Sequence, residues 1–373
     1  MASQQPPSQN MIRTDLFNLE AIPGRGKGLI ATQTIPAGTC LISEKPLFTT
    51  AEIRSNDVER ELVRIVKALP KDSQRAFLSL HNNHPGGKEP FSNIVRSNGY
   101  PLGASSEVGG IFPNIARINH SCWANCQQAW SSTRKQETAY AVRQIEAGEE
   151  LTIAYTIGGP SQERKSRLKE FFGFDCRCEI CSLPADKQKQ SDEKYTRAAK
   201  LDDSIGSPKR VKTSPNLALA DCHALLRLYN EERITDNRLQ RLYYDAFQIC
   251  VLHSDQARAR VFAKRCAETR AVCEGNDSAD VVEMLAYSEK PSSHDSFGGS
   301  TKWKQAADAV PKDLASDKFE EWLWRSEIDK DCLSLKQQAP LPRSKTQKDL
   351  LSGVVIIPTS QDRYEHLSDI HIL

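Results

Sequence analysis

Two short stretches of this chain hold most of the groups that could bind a metal or do chemistry. "RINHSCWANC", Arg117 to Cys126, gathers Asn119, His120, Ser121, Cys122 and Cys126, and "CRCEIC", Cys176 to Cys181, sets cysteines at C-x-C-x-x-C spacing. Zinc takes four soft ligands in a tetrahedron, and three closely spaced thiolates can come from one loop. Nothing after Cys181 supplies a fourth ligand, so Cys122 or Cys126 must join Cys176, Cys178 and Cys181 from the earlier stretch. Such a site would stitch the region of residue 120 to the region of residue 180. A redox pair is the competing chemistry, but a resting disulfide does not suit an intracellular protein.

The rest of the sequence points to that compartment. "MASQQPPSQNM" at the start lacks the apolar run of a secretion signal, and no stretch approaches the roughly 20 apolar residues that cross a bilayer. A soluble protein of the nucleus or cytoplasm is expected, with no membrane partner. The 373 residues are 39% hydrophobic, enough for one large domain or two ordinary ones. A mean hydropathy of −0.54 adds the expectation of a disordered tail or linker. A formal net charge of +2 argues against a dedicated binder of bulk nucleic acid, and no direct sequence-specific contact with it is expected.

The elements that must position these groups alternate in type. "GRGKGLIATQTIPAGTCLISEKPL" and "QETAYAVRQIEAGEELTIAY" carry β-branched runs broken by the turns "IPAG" and "IEAG", a hairpin style used twice. In the second, Leu151, Ile153 and Tyr155 share one strand face. Between them Val58, Leu62, Ile65, Val66 and Leu69 mark a helix ended by Pro70; a second covers Ser73 to Leu80, and "HNNHPGGKEPFSN" reads as a loop. Residues 184–215 read as a charged linker, including the basic cluster "SPKRVK". Three amphipathic helices follow from 216 to 275, the last capped by Ser254 and stopped by Gly275, with Cys222, Cys250, Cys266 and Cys273 on their apolar stripes as core. Residues 291–300 read as linker, and one short helix is expected near Phe319 to Trp324.

Taken in order, "GRGKGL", "SNGYPLG", "EVGGIFPNIARINHSC", "GEELTIAY" and "FFGFDCRCEIC" resemble a SET-domain protein, closest in wording to the SET-and-MYND branch of protein lysine methyltransferases. The likeness covers residues 17 to 183 well and the helices of 216–275 loosely, and no MYND cysteine-histidine array is present. It implies an α+β fold: a β-rich knotted SET core with a helical insertion at about 51–110 and a post-SET zinc site at 172–183, followed by an α-helical C-terminal region. The layout is then a disordered arm over 1–15, a SET domain over 16–183, the linker, a helical domain over 216–290 and an uncertain tail over 291–373.

The resemblance also implies roles. Methyl transfer from S-adenosylmethionine to a lysine of a histone or other protein is the expected activity, a neutral amine displacing a sulfonium in line. Tyr155 would orient the amine and Phe172 would wall its channel. Asn119, His120 and Asn98 would meet the donor, with Arg25, Lys27 and Gly28 at its carboxylate end and Phe174 on its adenine. Cys122 becomes the fourth zinc ligand and Cys126 a bystander. Ala124 stands where the branch has proline, which should loosen one turn. The rival expectation is a SET-fold interaction module that methylates nothing. Substrate, degree of methylation and oligomeric state are not fixed by these residues.

Overall fold

The computed structural model describes residues 9–104 and 106–326. Its strands are β1 (Met11–Ile12), β2 (Phe17–Ile22), β3 (Gly26–Ala31), β4 (Cys40–Glu44), β5 (Gly99–Pro101), β6 (Gly109–Ile111), β7 (Asn119–His120), β8 (Cys126–Ser131), β9 (Gln136–Ala141) and β10 (Thr152–Ile153). They form a four-stranded antiparallel sheet in the order β1-β4-β9-β8 and three two-stranded pieces, β2-β3, β5-β6 and the parallel pair β10-β7. Of the arm expected over 1–15, residues 11 and 12 are a strand on β4 and residues 1–8 lie outside the described residues.

The two echoing turns are a correction. Gly38 and Gly148 take φ of +80° and +84°, as tight turns require, yet the strands flanking each turn do not pair with one another. Each turn is a corner between sheets. The two corners lock together instead, because Ile35 and Ile145 exchange both backbone hydrogen bonds, at 2.8 and 2.9 Å.

In the insertion, α1 (Val58–Ala68) is capped by Asp57 and buries Leu62, Ile65 and Val66. Helix α2 runs Lys71–Leu78, two residues earlier than expected. Helix α3 (Pro90–Asn98) starts inside the expected loop. Its own sequence lacks a capping side chain; Glu59 of α1 supplies one, accepting from the N–H groups of Phe91 and Ser92 at 3.0 and 2.8 Å.

Helix α4 (Ser161–Phe172) leads to the cysteine loop, and α5 (Ala185–Ile205) and α6 (Pro208–Thr213) replace the expected linker. The buried stripe of α5 is thin, chiefly Ser191, Tyr195, Ala198 and Ile205, so its charge masked it. Asp192 on it caps α4, accepting from the Ser161 N–H and hydroxyl at 2.6 and 2.7 Å. The three helices expected between 216 and 275 are α7 (Pro215–Glu231), α8 (Asn237–Leu252) and α9 (Gln256–Glu274), followed by α10 (Ala279–Glu289). Asp255, not Ser254, caps α9; Ser254 sits at φ +63°. Cys222, Cys250, Cys266 and Cys273 are all buried, as the periodicity required. The segment from 291 turns back over these helices and ends in α11 (Ser316–Leu323), with Trp303 and Trp324 in the core. Residues 327–373 lie outside the described residues. Among the described residues no helix is long and apolar enough to cross a membrane.

The helical part backs the sheet directly. Helix α9 packs on β8 and β9, Gly275 gives room to the Tyr140 hydroxyl, and Arg134 pairs with Asp277 at 2.6 Å. With α9 on one side and the core of Ile42, Phe112, Ala139 and Ala141 on the other, every residue of β9 is buried.

Candidate functional site

The parallel pair β7-β10 joins the two central motifs in register, Asn119 opposite Thr152 and His120 opposite Ile153. Asn125 fastens the loop that follows. Its side chain accepts from the Thr152 N–H at 2.7 Å and donates to the Glu150 carbonyl at 2.8 Å. Trp123, between the two, is gripped from outside: the guanidiniums of Arg143 and Arg233 lie 4.6 and 5.2 Å from its ring, and its indole N–H donates to the Arg233 carbonyl at 3.0 Å. The turn at Ala124 is therefore held on both sides by side chains.

His120 is buried, which lowers its pKa to about 4. Its Nδ1 accepts the Tyr155 N–H at 3.0 Å, so the ring proton sits on Nε2, 3.3 Å from the Cys122 sulfur. Tyr155 donates its hydroxyl to the Ile118 carbonyl at 2.8 Å. Its ring lies 4.8 Å from Phe172, 5.3 Å from His120 and 6.4 Å from Phe174, and burial pushes its phenol up. Gly173, at φ +74°, caps α4 in the left-handed region, between the two phenylalanines that flank Tyr155.

These groups line a cavity of about 2300 Å³ between the β-rich part and the helices. At one end Glu150 receives Arg25 at 2.7 Å and Asn119 at 2.8 Å, while Arg25 also donates to the His120 carbonyl at 2.5 Å. Asn119 reaches the Lys27 carbonyl too, at 3.1 Å, and the Lys27 side chain is exposed. Gly28 lies behind this wall. A Cβ there would stand 2.7 Å from both Asn119 Nδ2 and Glu150 Oε1, so any larger residue must displace these two side chains. Asn98 lines the cavity from α3, its amide held by the His81 and Ile94 carbonyls at 2.6 and 2.8 Å.

Cys122, Cys176, Cys178 and Cys181 converge, their sulfurs all within 4.8 Å of one another, an arrangement that could hold a metal ion. None is in a disulfide. Hydrogen bonding among the crowded thiols pushes Cys122 and Cys176 up and Cys178 and Cys181 down. Cys126 is elsewhere, buried in the sheet core with its thiol on Asn125 at 3.3 Å. The choice left open by spacing thus falls on Cys122.

A family model described as SET domain matches residues 26–156. The histone-lysine N-methyltransferase set5 of Schizosaccharomyces pombe is 32% identical over 331 residues, covering 87% of this chain and 99% of the relative. The chain belongs to the SET-domain family. Human SMYD1, also called a histone-lysine N-methyltransferase, is 27% identical over 57% of the chain, which spans 42% of SMYD1's length. Human SMYD3, called by the same activity, is 33% identical over 36% of the chain and 32% of its own length.

Three contributors to this SET domain went unseen in the sequence. Glu150 looked like one more acid of "GEEL", though its place two residues before a buried strand was a usable signal. Tyr100 lines the cavity from β5. Arg164 on α4 is 2% exposed, with its guanidinium 4.9 Å from the Tyr195 ring and its Nε and Nη2 without a hydrogen-bond partner. A charged helix gave no hint of it.

Proposed function

We propose that this chain is an S-adenosylmethionine-dependent protein-lysine N-methyltransferase. The observation that carries the reading is Tyr155: a strand-end hydroxyl on a backbone carbonyl, ringed by Phe172, Phe174 and His120, in the cavity that Arg25 and Asn119 close at its polar end. Relatives that match most of the chain, or its SET part, carry histone-lysine methyltransferase names. The residues fit the donor. Arg25 and Lys27, the amides of Asn98 and Asn119, and the rings of Tyr155, Phe172 and Phe174 all line the cavity. Asn119, His120 and Asn98 would hold it, with Arg25 and Lys27 toward its carboxylate and Phe174 toward its adenine. S-adenosylmethionine, when bound, supplies an electrophilic methyl group on a sulfonium. The chain's part is to align the acceptor amine with Tyr155, strip it of water between Tyr155 and Phe172, and favour its neutral form, since desolvation penalises the ammonium.

Zinc fits the four thiolates. Sulfurs on a tetrahedron at the usual Zn–S length lie about 3.8 Å apart, and Cys122 and Cys181 stand at 3.6 Å. Two features favour a negatively charged centre there: the Nε2–H of His120 beside Cys122, and the buried Arg164, whose Nε and Nη2 have no other partner. Zinc would be structural, tying the loop of 120 to the end of α4. The test is transfer of a radiolabelled methyl group to histones and a broad protein panel. Wild type should label at least one substrate, and Tyr155→Phe should lose roughly 100-fold or more in rate while binding the donor. Donor binding without transfer to any protein would overturn the reading in favour of an interaction module.

A further inference from the structure

The cavity walls carry charges of both signs, and most are matched: Arg25 with Glu150, Arg238 with Asp236, Arg241 with Asp202 and Arg270 with Asp280. Glu137 is not. It lines the cavity from β9, is 3% exposed, and its Oε2 is buried with no partner; among the described residues no cation pairs with it. Directly across the sheet stand Glu44 on β4 and Trp130 on β8, so the three side chains share one face. Glu44 is already satisfied, accepting from the backbone of Asn114 and Ile115 at 2.9 and 3.1 Å and from the Asn114 amide at 2.6 Å. The second carboxyl therefore sits in a low-dielectric wall beside a like group, costly to the free fold and answered by nothing within it.

We infer that Glu137, flanked by Trp130 and Tyr100, takes the ammonium or guanidinium of a second basic residue on the protein segment that presents the acceptor lysine. This rests on the methyltransferase reading. An indole face and a carboxylate together suit a desolvated cation, through the ring quadrupole and a charge-assisted hydrogen bond. The subsite is separate from the acceptor channel. Tyr155 is ringed by Phe172, Phe174 and His120, none of which borders Glu137 in the sheet. Tyr100 and Trp130 both pack on Phe112, with ring centroids 6.3 and 6.2 Å from it, and both line the cavity on the sheet side. The separation is chemically required, because a carboxylate at the acceptor nitrogen would hold it as an unreactive ammonium.

The test uses the full chain and arrayed peptides with a single acceptor lysine, in which lysine, arginine or norleucine is placed at each flanking position in turn. Norleucine keeps the aliphatic stem and removes the charge. Wild type should favour a basic residue over norleucine at one or two positions by roughly ten-fold or more, chiefly through KM. In both Glu137→Gln and Glu137→Leu that ratio should collapse toward one, with melting temperatures no lower than wild type because a buried carboxyl is gone. A wild type indifferent to flanking charge overturns the inference alone, as does a ratio that survives both substitutions, since Glu137 would then act on the acceptor or on nothing. A wild type that methylates no peptide and no protein overturns the underlying reading, and this inference with it.

Discussion

Asn125 offers a clean measure of how the loop after β7 is fixed. It is 1% exposed, and Asn125→Ala removes the acceptor of the Thr152 N–H, at 2.7 Å, and the donor to the Glu150 carbonyl, at 2.8 Å. Both abandoned groups are main-chain atoms, the Thr152 N–H in the buried parallel pair and the Glu150 carbonyl two residues before it. Leaving a buried backbone group unpaired costs about 1–3 kcal/mol, so the substitution should cost about 3–4 kcal/mol in all. The side chain's weaker contacts, to Glu149 at 3.1 Å and the Cys126 thiol at 3.3 Å, add little. Urea unfolding gives the total, and amide hydrogen exchange gives the location: Thr152 and Tyr155 should lose protection well beyond what the global loss explains. A loss under about 0.5 kcal/mol, or a Thr152 amide that stays protected, would refute the claim that this side chain pins β10.

Metal analysis of the purified protein should find zinc near one equivalent; Cys178→Ser should abolish it, raise thiol alkylation at the remaining three cysteines and weaken donor binding, because Phe172 and Phe174 hang on the same loop. Gly28→Ala places a carbon 2.7 Å from Asn119 and Glu150 and against Ile22; donor affinity by calorimetry should drop at least ten-fold, with a fold loss of about 1–3 kcal/mol from overpacking. Asp236 is buried, which raises its carboxyl, but Arg238 at 2.6 Å outweighs this and its pKa is lowered. A depressed folded pKa means stability that is present above the unfolded value, near 4 for aspartate, and lost as pH falls through the folded one. Asp236→Asn should therefore flatten the acid limb of a stability profile, and an unchanged limb contradicts the assignment.

What was legible in the sequence was whatever could be read locally or by motif order. The helix of Leu62, Ile65 and Val66 has a strong 3.6-residue stripe and its own cap. The cysteine set followed from zinc's demand for a fourth thiolate, with family resemblance choosing Cys122. Misses came where distant residues supply what the local sequence lacks. Helix α3 begins on a cap from Glu59 of α1, and α5 is tied down by the bonds of its Asp192 to Ser161 and of its Ser191 to Glu232, so α3 has no capping side chain and α5 no broad apolar face of its own. The turns "IPAG" and "IEAG" were recognised as turns, but which strands they join depends on pairing across more than a hundred residues. Arg164 and Glu137 show the same limit, since burial of a charge on a polar-looking segment is a tertiary fact.

The clasp on Trp123 bears on how this protein can be shortened. A fragment stopped after the cysteine loop would strip Arg233 from the indole, remove α9 from β9 and leave the Tyr140 hydroxyl without its neighbour at Gly275. The Gln136, Thr138 and Tyr140 side of β9 would then face solvent, and the loop bearing His120 and Cys122 would keep only Arg143 on its tryptophan. Trp324 is buried in the core of the helical part, so deletion series that aim for a bare catalytic unit should yield poorly folded protein until that tryptophan is included.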